Sequence, residues 1–93
     1  MTLKQLVKII DSRKKQKSPE SYVCQLISKG TDRLVQKIGE EAIEVVIAGK
    51  NGNRREIISE SADLLFHLLL FWSLQKISLN DIEKELQERN IGR

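Results

Sequence analysis

At 93 residues the chain is long enough for one domain, 1–93, yet small enough to sit near the margin of independent stability, so a partner subunit is expected to help. With 40% hydrophobic and 31% charged residues it lies far from the composition of disordered chains. A net charge of +3 suits an anionic small molecule but falls short of the dense basic patch of a nucleic-acid binder.

Few Gly, Pro and aromatic residues, set against many Leu, Ile, Val, Lys, Glu and Gln, favour helix. Thr2 is placed to cap a first helix in which Leu3, Leu6, Val7 and Ile10 recur at helical spacing. Arg13, Lys14, Lys15 and Lys17 complement the dipole at its C-terminus. Ser18-Pro19-Glu20 reads as a turn into a short helix from Ser21 to Lys29, stopped by Gly30, after which Thr31 or Asp32 caps the next element. The single Cys24 in this helix cannot form an intrachain disulfide; it reads as a small core hydrophobe in a reducing compartment.

A long helix is expected from Asp32 to about Ala48, ended by a turn over Gly49 to Asn53, with a returning helix from about Arg54 to Lys76. Ser78 or Asn80 would cap a last helix carrying Asp81, Ile82 and Leu86. The expected fold class is therefore all-α: a helical bundle built on a long antiparallel helix hairpin and completed by dimerisation. The longest hydrophobic stretch, Ala62 to Trp72, is interrupted by Asp63 and His67 and is shorter than a bilayer of about 30 Å requires of a helix. It should be buried in protein, with Asp63 and His67 inside it and Phe66, Phe71 and Trp72 as core. No basic leader with a long apolar stretch opens the chain, so cytoplasmic residence without membrane attachment is expected.

The hairpin carries the chemistry. At about 100° per residue Glu40, Glu41 and Glu44 project within an arc of roughly 100°, and Lys37, one turn earlier, falls inside it. On the returning helix Glu56, Glu60, Asp63 and His67 follow at spacings of four, three and four, in a stripe roughly 60° wide with apolar residues around it. Glu-Glu-x-x-Glu alone is a common solvated helix face, and a lone histidine is commonly a satisfied core residue. Two facing acidic stripes with Lys37 as the one lysine among them form an underneutralised cluster that calls for a compensating cation. Oxygen-only ligands favour magnesium, with manganese as a substitute, and such a site suits phosphate chemistry, with hydrolysis as the simplest outcome. Arg54 and Arg55 are expected to be solvated at the hairpin tip.

Lys37-Ile-Gly-Glu-Glu-Ala-Ile-Glu44 and Glu60-Ser-Ala-Asp-Leu-Leu-Phe-His67 carry a resemblance over nearly the whole chain, joined by Ser21-Tyr22 and Ser28-Lys-Gly-Thr-Asp-Arg33. On these segments the chain resembles the phosphoribosyl-ATP pyrophosphohydrolase family of histidine biosynthesis, within the wider all-helical MazG-like nucleotide pyrophosphatases. The resemblance implies magnesium-dependent hydrolysis of phosphoribosyl-ATP to phosphoribosyl-AMP and diphosphate by a stand-alone homodimer. It matches Glu40, Glu41, Glu44, Glu60 and Asp63 to catalytic metal-binding acids and Lys37 to a phosphate contact. Lys29, Arg33 and His67 join the substrate-binding set. Gln25 stands where the family commonly has Lys, and Phe66 where it commonly has Tyr.

Two other readings make distinct expectations. A house-cleaning nucleoside triphosphate pyrophosphatase would use the same acids on free nucleotides, and a helical interaction module would pair them with Lys and Arg of a second subunit. A DNA-binding reading draws on a pI near 9.2, but the long patterned helix is acidic where a recognition helix is basic.

Overall fold

The computed structural model describes residues 1–89, which form five helices: α1 (Leu3–Gln16), α2 (Tyr22–Ser28), α3 (Thr31–Asn51), α4 (Arg54–Leu74) and α5 (Leu79–Glu88). No strand occurs among the described residues, so the all-α expectation holds.

Local chemistry explains where each helix starts. The Thr2 side chain accepts from the Gln5 backbone N–H while the Gln5 side chain accepts from the Thr2 N–H, a reciprocal box that satisfies two orphan donors of α1. Ser21 caps α2, Asn53 caps α4 by accepting from the Glu56 N–H, and Ser78 caps α5 in a second box with Asp81. At α3 the expected Thr31 or Asp32 cap is corrected. The N-cap is Gly30, which has no side chain to offer, and Thr31 is already helical. Gly30 sits at φ 92, a conformation that glycine adopts without a Cβ penalty, and its N–H closes the end of α2 on the Ile27 carbonyl.

The hairpin turn is also tighter than expected. α3 continues through Gly49, Lys50 and Asn51, and the reversal is confined to Gly52, at φ 67, and the Asn53 cap. α3 and α4 are thus equal antiparallel rods of 21 residues, each about 31 Å long.

The core gathers at the open end of this hairpin. Ile10 of α1, Val23 and Leu26 of α2, Leu34 of α3 and Leu69 and Leu70 of α4 form one buried cluster, against which Leu65, Phe66, Phe71 and Trp72 pack. A polar clamp ties α1 to α4: Lys14 Nζ donates to Ser73 Oγ at 2.7 Å, and Ser73 Oγ donates to Asp11 Oδ1 at 2.8 Å. Leu34 and Leu70 are fully enclosed, at 0% exposure. Leu70→Ala is expected to lower the unfolding free energy by about 2–5 kcal/mol, out of about 5–14 kcal/mol for a domain of this size. Urea unfolding at fixed protein concentration measures it; a loss below about 1 kcal/mol would place Leu70 outside the cooperative core.

Beyond that cluster the hairpin is bare, which corrects the expectation that α4 is enclosed nearly all round. Only His67, Leu69 and Leu70 of α4 are buried, Ser61, Ala62 and Asp63 are exposed, and Leu64, Leu65 and Phe66 are half-buried. The physical reason is that α1 and α2 cover one end of the rods and nothing among the described residues covers the other. Val35, Ile43, Val46 and Ile47 of α3 and Ile58 of α4 are exposed. The accessible surface is 6947 Å², against about 5,500 Å² for a compact monomer of this mass. The radius of gyration is 14.5 Å, where about 12 Å is usual for this length.

Candidate metal-binding active site

Facing turns of α3 and α4 bring three carboxylates together. Glu41, Glu60 and Asp63 each offer an oxygen, and the three oxygens lie within 4.8 Å of one another. Glu41 is buried, at 9% exposure, Glu60 is half-buried and Asp63 is exposed, so the expected burial of Asp63 does not hold. The cluster is open to a ligand on the Asp63 side.

Helix geometry separates the other acids from this point. Glu40 is rotated about 100° from Glu41 and turns outward, where its Oε2 meets Arg33 Nη1 at 3.4 Å on the same face of α3. Glu44 is exposed next to the cluster, and its charge acts on Glu60. The structure therefore converges three of the five sequence-predicted acids and leaves Glu40 and Glu44 on the rim.

The charge balance is the informative feature. Lys37 Nζ pairs with Glu41 Oε1 at 3.2 Å, one turn along α3, and this hydrogen bond holds the ammonium above the usual lysine range. No other ion pair to the three acids occurs among the described residues. Desolvation first, then the charges of Asp63, Glu44, Glu41 and Glu56, push Glu60 above the usual glutamate range. One lysine does not neutralise the cluster.

The donor set fits a hard divalent cation. Oxygens bound to one octahedral magnesium lie about 2.9–4.2 Å apart, and the three carboxylate oxygens lie within 4.8 Å of one another. Glu41, Glu60 and Asp63 are the residues that could hold the ion, with no nitrogen or sulfur ligand to favour zinc.

His67 lies inside the chain, as its place on the apolar helix led us to expect. It is buried, at 4% exposure, and both ring nitrogens are engaged within the chain. Nδ1 lies 2.6 Å from the Asp63 carbonyl, which can only accept, so Nδ1–H donates there. Nε2 then accepts from the Tyr22 hydroxyl at 2.9 Å. His67 joins α2 to the backbone turn that presents Asp63. Lys29, at the C-cap of α2, is exposed, and Arg33 approaches the site only through Glu40.

Tyr22 was legible in the sequence only as part of a familiar dipeptide. Its ring stacks on Phe66, with centroids 5.9 Å apart and planes at 27°, and contacts His67 edge-on. The pairing spans 45 positions of sequence, and helical periodicity carries no signal at that range. Gln25, the departure on α2, donates to the Pro19 carbonyl.

An all-α hairpin that gathers carboxylates from both of its rods agrees with the resemblance to the all-helical, MazG-like pyrophosphohydrolases. Comparison with known proteins narrows this further: a family model described as phosphoribosyl-ATP pyrophosphohydrolase matches residues 3–90, and the chain belongs to that family. It is 45% identical over 89 residues to a phosphoribosyl-ATP pyrophosphatase of Bacillus thuringiensis (strain Al Hakam), covering 96% of this chain and 83% of that protein. Its identity to the Bacillus cytotoxicus phosphoribosyl-ATP pyrophosphatase is 46% over 87 residues, with 94% and 81% covered. A relative of the same name from Bacillus anthracis is 44% identical over 89 residues, with 96% and 83% covered.

Proposed function

We propose that this chain hydrolyses phosphoribosyl-ATP to phosphoribosyl-AMP and diphosphate in histidine biosynthesis, with magnesium, or manganese in its place, held by Glu41, Glu60 and Asp63. The observation that carries the metal is the convergence of these three carboxylates with one lysine to offset them. The bound cation would neutralise phosphate charge and make a coordinated water more acidic.

The chain's own groups do the rest. Lys37, which pairs with Glu41, would contact the phosphates were a cation to take over the charge of Glu41. Glu40 and Glu44 on the rim complete the ligand set or accept the proton of the attacking water. Arg33 in the first turn of α3 and Lys29 just ahead of that helix meet the phosphates or the phosphoribosyl group. His67 serves by holding the Asp63 turn and Tyr22.

The working form is a cytoplasmic homodimer acting on a small molecule, without nucleic acid or membrane. α4 is long and apolar enough to cross a bilayer by length and composition. Glu60 and Asp63 lie close to its middle, where each charge costs about 2.5–3.5 kcal/mol in lipid, and they turn to α3 instead. A second subunit on the bare rods is the cover that fits.

The assignment is tested by diphosphate release from phosphoribosyl-ATP, with and without magnesium, beside a panel of ordinary nucleoside triphosphates. Magnesium-dependent turnover of phosphoribosyl-ATP alone supports it. Turnover of free nucleotides alone moves the chain to a house-cleaning role, and no turnover at all removes the catalytic reading.

The raised Glu60 also sets a pH dependence. Its folded form holds a proton more tightly than its unfolded form, so apo stability falls as pH rises from the ordinary glutamate value of 4.5 through the raised folded value, then levels off. Magnesium competes with that proton. Millimolar magnesium is expected to raise Tm at pH 7.5 and to lose this effect as the pH falls into the interval where Glu60 protonates. Thermal scans across pH check this; a magnesium shift equal at all pH values would remove Glu60 from the ligand set.

A further inference from the structure

The metal site accounts for the phosphates but not for the aromatic group beside it. Tyr22 is 47% exposed, although its hydroxyl reaches inward to a histidine that is 4% exposed. Exposed aromatic side chains ordinarily sample several rotamers. This one is held at two points, by the 2.9 Å bond to His67 Nε2 and by the stacked contact with Phe66. Phe66 lies three residues beyond Asp63, a rise of about 4.5 Å along α4, on a neighbouring part of the helix surface. That is the order of distance between the first phosphate of a nucleotide and its base.

We infer that Tyr22, backed by Phe66 and anchored by His67, is the wall against which the purine of the substrate stacks. The inference rests on the proposed nucleotide substrate and adds the contact that reads its base. A ring fixed before binding presents its surface without a large ordering cost, and stacking on such a platform depends on the aromatic surface more than on hydrogen-bond pattern. His67 is a positioning residue in this scheme: its Nδ1–H is committed to the Asp63 carbonyl, which leaves Nε2 as a fixed acceptor for the phenol.

Two ligands separate the wall from the phosphate site: AMP, which carries the purine, and inorganic diphosphate with magnesium, which does not. Equilibrium binding of each is measured by calorimetry on the full chain and its variants. Tyr22→Leu is expected to weaken AMP binding about tenfold and leave diphosphate binding within twofold. Tyr22→Phe keeps the ring but releases the anchor, and should lose no more than about threefold on AMP. With phosphoribosyl-ATP, Tyr22→Leu should raise KM far more than it lowers kcat.

Unchanged AMP affinity in Tyr22→Leu, or no AMP binding by the wild-type chain, would overturn the wall. Parallel loss of AMP and diphosphate binding, with a change in oligomeric state, would also overturn it and assign Tyr22 to a subunit interface. Because binding is read without turnover, these results are distinct from a wild-type chain that binds AMP but does not hydrolyse phosphoribosyl-ATP, which would count against the proposed reaction only.

Discussion

Asp63→Asn and Glu60→Gln are each expected to lower kcat on phosphoribosyl-ATP by roughly a thousandfold while leaving the helices intact. Each change replaces a charged oxygen by a neutral amide of nearly the same shape in a group of three whose oxygens already lie within 4.8 Å. Metal-assisted charge stabilisation supplies several kcal/mol to such reactions, and about 1.4 kcal/mol corresponds to a factor of ten in rate. Stability should move the other way, because desolvation and the neighbouring acids disfavour the Glu60 charge in the folded chain. Each variant should therefore melt no lower than the parent in the absence of metal, yet bind magnesium far more weakly. Glu44→Gln, outside the converged group, is expected to cost less, roughly a hundredfold, the lower end of what loss of a proton acceptor removes. Activity and metal-free Tm measured on the same preparations decide the matter: activity lost in step with Tm would make the cluster a structural ion-pair site.

Much of this site was readable before any coordinates. Glu41 and Glu44 share a face with Lys37 because helical spacing requires it, and Glu60 and Asp63 share another for the same reason. The two-residue reversal at Gly52 and Asn53 then forces the faces together. Periodicity does not report which member of a stripe turns inward. Glu40 and Glu41 differ by one residue, and packing against α4 takes Glu41 while Arg33 takes Glu40. Nor did it report that Asp63 stays exposed, since an apolar helix was read as a covered one and the described residues supply cover at one end only. His67 shows the same limit at longer range. Its burial as a satisfied core histidine was expected, but its partners, a carbonyl one turn back and a phenol on another helix, were not readable from the stripe.

Replacing Ile43 by Asp is expected to abolish self-association at micromolar concentration, raising the dimer Kd by at least about a thousandfold. Val35, Ile43, Val46 and Ile47 fall within roughly 120° of the α3 surface, and Ile43 and Val46 are 59% and 61% exposed. The accessible surface exceeds that of a compact monomer by roughly 1,400 Å², more than the roughly 800 Å² that one partner contributes to a stable interface. An interface on this stripe is an extension of the core that the hairpin lacks at its bare end. A two-fold axis places every substitution in the interface twice, so the several kcal/mol needed to bury one unpaired carboxylate are incurred by both copies. This is why the effect should exceed that of hollowing the monomer core at Leu70. Ile43→Leu, which keeps the apolar volume, should remain dimeric. Light scattering behind size exclusion reads both: a dimeric Ile43→Asp chain would free this face of α3, and the cover for the rods would have to come from elsewhere on the molecule.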